Sequence, residues 1–140
     1  MSVSGLQIAH PRATPSLRLG RFWWGVGWAM VLYITISCLE PARYVPNLHL
    51  WDKAEHALGF FGMSVWFGGL VRRGRYPLLA VLMLVFGGAI EIAQGTMGLG
   101  RDADIKDWLA DSVGIGAALG LLYLGLGGWA RRIEGLFFRA

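Results

Sequence analysis

Four apolar stretches, each about 20 residues long, constrain this sequence more than any other feature. They cover residues 22–39, 54–71, 77–94 and 108–130. An α-helix of that length crosses the roughly 30 Å hydrocarbon core of a bilayer. A lipid-facing strand would instead alternate apolar and polar residues, and none of the four stretches does so. The sequence therefore predicts an all-α membrane protein with four transmembrane helices and short outer loops.

Composition supports the membrane class, because 55% of the 140 residues are hydrophobic and only 16% are charged. A chain of this length is expected to hold one domain. We expect residues 1–21 to form a poorly ordered cytoplasmic leader and residues 22–130 to form the transmembrane domain. Residues 131–140 are amphipathic and predict a short interfacial tail on the cytoplasmic side.

Basic residues are concentrated on one side of the predicted bundle. Most Lys and Arg residues lie before the first helix, between the second and third, or after the fourth. These are Arg12, Arg18, Arg21, Arg72, Arg73, Arg75, Arg131, Arg132 and Arg139. The positive-inside rule makes this side cytoplasmic, which places both termini inside a bacterial plasma membrane. Contact with anionic membrane lipid explains the net charge of +4, and no nucleic-acid motif is present.

Acidic and other polar residues gather at the opposite, predicted outer side. Spacings of three or four residues put side chains on one helix face. Three such groups are Asp52 with His56, Glu91 with Gln94, and Asp104 with Asp107 and Asp111. Carboxylates at membrane depth cost several kcal/mol each unless they are paired or wet, so these should face the bundle interior or an outer cavity.

The outer polar cluster is the candidate functional site. We expect His56, Glu91 and Asp107 to be its functional residues. The residues expected to bind ligand or to support them are Asp52, Lys53, Gln94, Arg101, Asp104 and Asp111.

A structural explanation also exists for each of these side chains. Asp104 is suited to be a helix N-cap, and Lys53 or Arg101 could simply reach the headgroup region. His56 and Gln94 could be interhelical hydrogen-bonding residues. Both explanations stay open at the level of the sequence.

Three short motifs resemble the VanZ-like family of small bacterial membrane proteins. They are DKAEH followed by Phe60 and Phe61, then EIAQ, then GRDADIKDWLADSVG, in the family's order over roughly residues 45–125. Two positions depart from the family pattern: Asp111 stands where Asn is frequent, and Ala57 where an aromatic residue often follows the histidine. The resemblance implies an integral plasma-membrane protein, and a founding member is linked to low-level teicoplanin resistance. It implies no settled reaction.

One functional hypothesis is a non-catalytic envelope protein that binds or displaces a lipid-like or lipid-linked molecule. The acyl tail of a lipoglycopeptide is one such ligand, and binding it would alter teicoplanin susceptibility. The polar cluster would then also fix the four helices to one another. The small residues Gly116 and Gly120 would allow a homodimer.

The alternative hypothesis is a membrane enzyme acting on a phosphate-bearing, lipid-linked substrate. The carboxylates available to hold a divalent cation such as Mg²⁺ are Glu91, Asp104, Asp107 and Asp111. Arg101 would clamp an anionic group, and His56 would transfer a proton. Ion transport is less favoured, because the acids lie at one end and no charged chain crosses the membrane.

Overall fold

The structure, a computed structural model, describes residues 16–40, 49–98, 100 and 102–138, and for residues 49–52 it describes the backbone alone. Within these ranges the chain is helical and contains no strand, which confirms the all-α prediction. The helices are α1 (Gly20–Leu39), α2 (His49–Leu70), α3 (Tyr76–Met97), α4 (Ile105–Leu121) and α5 (Trp129–Phe137). A 3-10 turn (Arg73–Arg75) precedes α3, and a π-helical turn (Leu122–Leu126) follows α4.

The first four helices run alternately up and down, so that two ends of the bundle can be distinguished. The polar end is where α1 and α3 finish and α2 and α4 begin. The basic end is the opposite one, where α1 and α3 begin, and it carries α5.

Three helical segments of the described chain are long and apolar enough to cross a membrane: Gly20–Leu39, Arg73–Met97 and Ile105–Leu126. Large apolar side chains cover their outward faces. They include Leu32, Tyr33, Ile36, Leu82, Val85, Ile92, Val113 and Leu124. Exposure of so much apolar surface to water would be unfavourable in a soluble protein, whereas contact with lipid tolerates it. The three candidate spans and their apolar outward faces thus indicate a membrane protein.

Helix α2 is less apolar, because it carries Lys53, Glu55 and His56 in its first turns. It occupies the middle of the bundle, where Phe60, Met63 and other side chains of its inner face are buried. Its main neighbour is α4. That it is the fourth span stays a prediction.

Glycines allow α2 to lie very close to its neighbours. The backbone of Gly114 on α4 lies against the carbonyl of Ala57, so that a side chain there would collide with α2. Near the basic end Gly68 lies against the side chain of Leu122, and Gly69 lies against the indole of Trp129. Small residues at such contacts let helix backbones approach, which strengthens dispersion contacts between helices in lipid.

At the basic end, the last helix is joined to the first. The Glu134 carboxylate on α5 accepts hydrogen bonds from the amide N–H groups of Arg18 (2.7 Å) and Leu19 (2.8 Å) and from the indole of Trp23 (2.9 Å). Leu19 is the N-cap of α1 and has no side chain able to cap it, so Glu134 satisfies the exposed donors instead. Residues 16–21 of the predicted leader belong to the described chain, and α1 begins at Gly20 rather than at residue 22; residues 1–15 lie outside the described chain.

The predicted helix over residues 108–130 differs from the structure at both of its ends. It begins earlier, at Ile105, because the Asp104 side chain accepts a hydrogen bond from the Lys106 N–H (2.9 Å) and forms an N-cap. It is broken near Gly125 (φ 141°) and Gly128 (φ 70°), whose backbone angles only glycine adopts readily. The chain turns there and continues as α5.

Candidate functional site

The site begins with a buried pair between α2 and α4. His56 Nδ1 lies 3.0 Å from Asp111 Oδ1, and both side chains are almost completely buried. Asp111 faces Gly87 on α3, where any side chain would lie 2.6 Å from its second carboxylate oxygen. The glycine therefore provides the space that the buried carboxylate occupies. If Nδ1 carries the proton, Nε2 of the imidazole keeps a free lone pair.

A second set of ion pairs lies nearer the end of the bundle. The Lys53 ammonium on α2 lies 2.6 Å from Asp107 Oδ1 and 3.1 Å from Asp104 Oδ2. The Lys106 N–H and the Lys53 ammonium together lower the pKa of the Asp104 carboxyl below its ordinary value. Lys53 thus joins the start of α2 to the start of α4, rather than only reaching the headgroups.

Helix α3 contributes Glu91 and Gln94, one turn apart. Glu91 Oε2 accepts a hydrogen bond from the backbone N–H of Asp104 (2.9 Å), which holds the approach to α4 against α3. The Gln94 amide donates to the backbone carbonyl of Cys38 at the end of α1 (2.7 Å). Gln94 therefore has a structural contact, whereas Glu91 has one carboxylate oxygen engaged and the other available.

Three buried polar atoms of the cluster lack a hydrogen-bond partner within the described part of the chain: His56 Nε2, Glu91 Oε1 and Asp111 Oδ2. Leaving such an atom unsatisfied costs about 1–3 kcal/mol, and more if it is charged. Ligand atoms of His56, Glu91 and Asp107 lie within 4.8 Å of one another, and all three side chains are buried. One nitrogen and two carboxylate oxygens from three helices therefore converge on one point.

His56, Glu91 and Asp107, which were expected to be functional, lie close together in the structure, and their functional role stays a prediction. Of the carboxylates predicted as cation ligands, Glu91 and Asp107 belong to this group. Asp111 instead pairs with His56, and Asp104 caps α4 and pairs with Lys53. The side chain of Asp52 and the whole of Arg101 lie outside the described residues.

Sequence reasoning missed two contributors to the site. The Cys38 thiol on α1 lies beside the His56 imidazole, where it is a hydrogen-bonding as well as an electrostatic partner of the ring. Gly87 makes room for Asp111. No short-range sequence signal identifies Cys38 or Gly87 as part of the site, because their positions depend on which face each helix turns toward its neighbours.

The charge of the cluster is unbalanced among the described side chains. Four carboxylates lie together, and among the described side chains the Lys53 ammonium forms ion pairs with two of them while Lys106 acts on Asp104 from a greater distance. The carboxylates are Glu91, Asp104, Asp107 and Asp111. Buried carboxylates with too few counter-charges are stabilised by a cation or must take up protons. The arrangement is thus chemically suited to hold a positive ion.

Comparisons of the chain with protein-family models, with curated proteins and with solved structures find no match. The resemblance to the VanZ-like family therefore rests on the three sequence motifs alone. What can be concluded about function comes from the buried cluster itself.

Proposed function

We propose that this chain is a multi-pass protein of the bacterial plasma membrane whose polar end faces outward. In this proposal α2 is the fourth span: 22 residues are enough to cross the bilayer, its polar residues His56 and Ser64 are buried against other helices, and the exposed Glu55 lies close to its polar end. The concentration of arginines at the basic end supports its cytoplasmic position.

The function supported best is binding of a divalent cation, and through it of an anionic, lipid-linked envelope molecule. The observation that carries this proposal is the grouping of His56, Glu91 and Asp107, whose ligand atoms lie within 4.8 Å of one another, together with the buried Glu91 Oε1, which has no hydrogen-bond partner in the described chain. A bound cation would satisfy these atoms and balance the carboxylates at once.

The donor set favours particular ions. Imidazole nitrogen is a good ligand for Zn²⁺ and carboxylate oxygens suit Mn²⁺, whereas Mg²⁺ prefers oxygen ligands alone and usually keeps several waters. We therefore expect Zn²⁺ or Mn²⁺ to bind more tightly than Mg²⁺, the cation suggested by the carboxylates in the sequence. Asp111 would act as a positioning residue, because its hydrogen bond to Nδ1 orients the His56 ring and makes Nε2 more basic.

Such a cation site is consistent with two functions, binding of an anionic ligand and catalysis on it. With three protein ligands, a cation keeps an open position at which it can clamp or polarise a phosphate oxygen. Lys53, which already pairs with Asp104 and Asp107, could donate to the same anionic group. Non-catalytic binding or displacement of the lipid-linked molecule is the simpler function, and metal-assisted attack on its phosphate is the second candidate.

Metal binding is the first test of this proposal. The full-length protein in detergent would be treated with a chelator, dialysed against Zn²⁺, Mn²⁺ or Mg²⁺, and analysed for metal by mass spectrometry. We expect about one Zn²⁺ or Mn²⁺ per chain. His56→Gln, Glu91→Gln and Asp107→Asn should each lose most of this binding. Glu55→Gln, which removes an exposed carboxylate from the same helix as His56, should retain it.

Susceptibility of cells to teicoplanin tests the envelope function implied by the VanZ-like motifs. Expression of the chain in a susceptible host should change the inhibitory concentration, and the three metal-site variants should not. Equal metal binding by all of the variants would refute the cation site. If the protein binds metal but its expression changes no envelope phenotype, the proposed function is refuted, whereas the cation site itself is retained.

A further inference from the structure

A second site is suggested by a cavity at the basic end, far from the polar cluster. It has a volume of about 370 Å³ and lies between the 3-10 turn, the start of α3 and the break that joins α4 to α5. This volume is at the lower end of the range for small-molecule sites. The cavity is large enough for a headgroup rather than only a few waters.

The lining of the cavity is strongly basic. Arg73, Arg131 and Arg132 all contribute to it, and none of the described lining residues is acidic. In the part of the chain that the structure describes, none of these three guanidinium groups forms a salt bridge. Three positive charges therefore share one cavity without a counter-charge from those residues.

Contacts to backbone and aromatic groups hold the arginines in place. The Arg73 guanidinium lies 4.8 Å from the centroid of the Tyr123 ring. Arg132 Nη1 donates to the carbonyl of Gly125 (2.7 Å), and Arg131 donates more weakly to carbonyls at the end of α2 (3.4 Å). Each guanidinium has five N–H donors, so most of them stay available to a ligand. The fixed fork of N–H donors suits phosphate oxygens.

The start of α5 adds to the positive potential. Gly127 and Gly128 line the cavity, and Gly128 is the N-cap of α5 without any side chain to cap it. Gly128 and Arg131 thus bring the start of this nine-residue helix to the wall of the cavity. Helix N-termini favour anions, and here the effect reinforces that of three arginines.

Exposed apolar side chains on the two elements that follow α4 indicate where the rest of the ligand would lie. Leu124, between two residues that line the cavity, is 86% exposed, and Phe137 on α5 is 79% exposed. We propose that this cavity binds the phosphate group of an anionic membrane lipid, whose acyl chains lie along the apolar surface of the π-helical turn and α5. This proposal is independent of the cation site at the polar end.

Lipid binding tests the proposal directly. Full-length protein in neutral detergent would be titrated with phosphatidylglycerol, with phosphatidylcholine and with inorganic phosphate, while retained lipid is counted by native mass spectrometry. We expect one saturable phosphatidylglycerol site that weakens as salt is raised, and no comparable site for phosphatidylcholine. The double variant Arg73→Gln/Arg132→Gln should bind about tenfold more weakly.

Arg75→Gln is the matched control, because Arg75 lies in the same 3-10 turn and is exposed but does not line the cavity. It should change affinity less than about twofold, since surface charges act weakly. Displacement of the lipid by inorganic phosphate would assign the site to free phosphate rather than to a headgroup. The proposal would be overturned if Arg75→Gln lost as much affinity for phosphatidylglycerol as the double variant does. It would also be overturned, whether or not the double variant folds, if binding to the wild-type protein did not depend on salt.

Discussion

The contact between Glu134 and the start of α1 supports a quantitative prediction about stability. Replacing Glu134 by Gln keeps the size of the side chain but turns one acceptor oxygen into an N–H donor. If the amide oxygen takes the place of Oε1, the bonds from Leu19 and Trp23 persist, and the Arg18 N–H then faces another donor. At least one hydrogen bond to a charged acceptor is therefore lost.

Hydrogen bonds to charged groups contribute about 1.5–3 kcal/mol. Glu134 lies near the membrane interface, where water and salt screen the charge, so we take the lower end, about 1.5 kcal/mol. For a chain of this size about 1 kcal/mol corresponds to roughly 3 °C, so the melting temperature in detergent should fall by roughly 5 °C. Glu55→Gln, an exposed carboxylate without this contact, should leave it unchanged.

The effect of pH on this contact has a definite sign. Burial raises the pKa of Glu134, but the hydrogen bonds from Leu19, Arg18 and Trp23 outweigh it and lower the pKa below the ordinary value of 4.5. The contact should therefore stabilise the protein fully above pH 4.5 and weaken as pH falls through the lowered pKa. The difference in melting temperature between wild type and Glu134→Gln should be constant from about pH 6 to 8 and shrink below about pH 4. A difference that grows in acid would refute the reasoning.

Two further predictions concern orientation and packing. With Cys38 replaced by Ala, single cysteines at Gly74 and Thr96 should differ in labelling by an impermeant thiol reagent on intact cells. Reaction is expected at Thr96 only, and reaction at Gly74 would reverse the proposed orientation. Gly114→Ala should lower stability by about 1–3 kcal/mol, because its side chain meets the Ala57 carbonyl. Gly116→Ala, which has open space around it, should not, and equal melting of the two variants would contradict the close α2–α4 packing.

Hydrophobic length alone predicted where the main helices lie. The predicted ranges 22–39 and 77–94 fall within α1 (Gly20–Leu39) and α3 (Tyr76–Met97). For α2 the structure extends the predicted range to His49, because hydropathy falls at the polar residues whereas the helix continues through them. Apolar content indicates which residues prefer lipid, but backbone hydrogen bonding decides where a helix begins and ends.

Pairing within the cluster could be predicted only in part. Depth and helix direction indicated that His56, Glu91 and Asp107 lie at one end of the bundle. The partner of each side chain depends on the rotation of the helices about their axes, which the Gly114 and Gly87 contacts set. The sequence therefore predicted that Asp111 lies near the site, but it could not predict the hydrogen bond between Asp111 and His56 Nδ1.

The bonds from Glu134 to the start of α1 also bear on the order in which the protein can be made. They join residues 115 and 116 positions apart, so that α5 must be synthesised before the first helix is secured at its N-terminal end. The earlier helices can enter the membrane during translation, but this contact closes the bundle only after the ribosome has released most of the chain. A chain that ends before Glu134 would then have its spans inserted, but its first helix would lack these three hydrogen bonds at its N-terminal end.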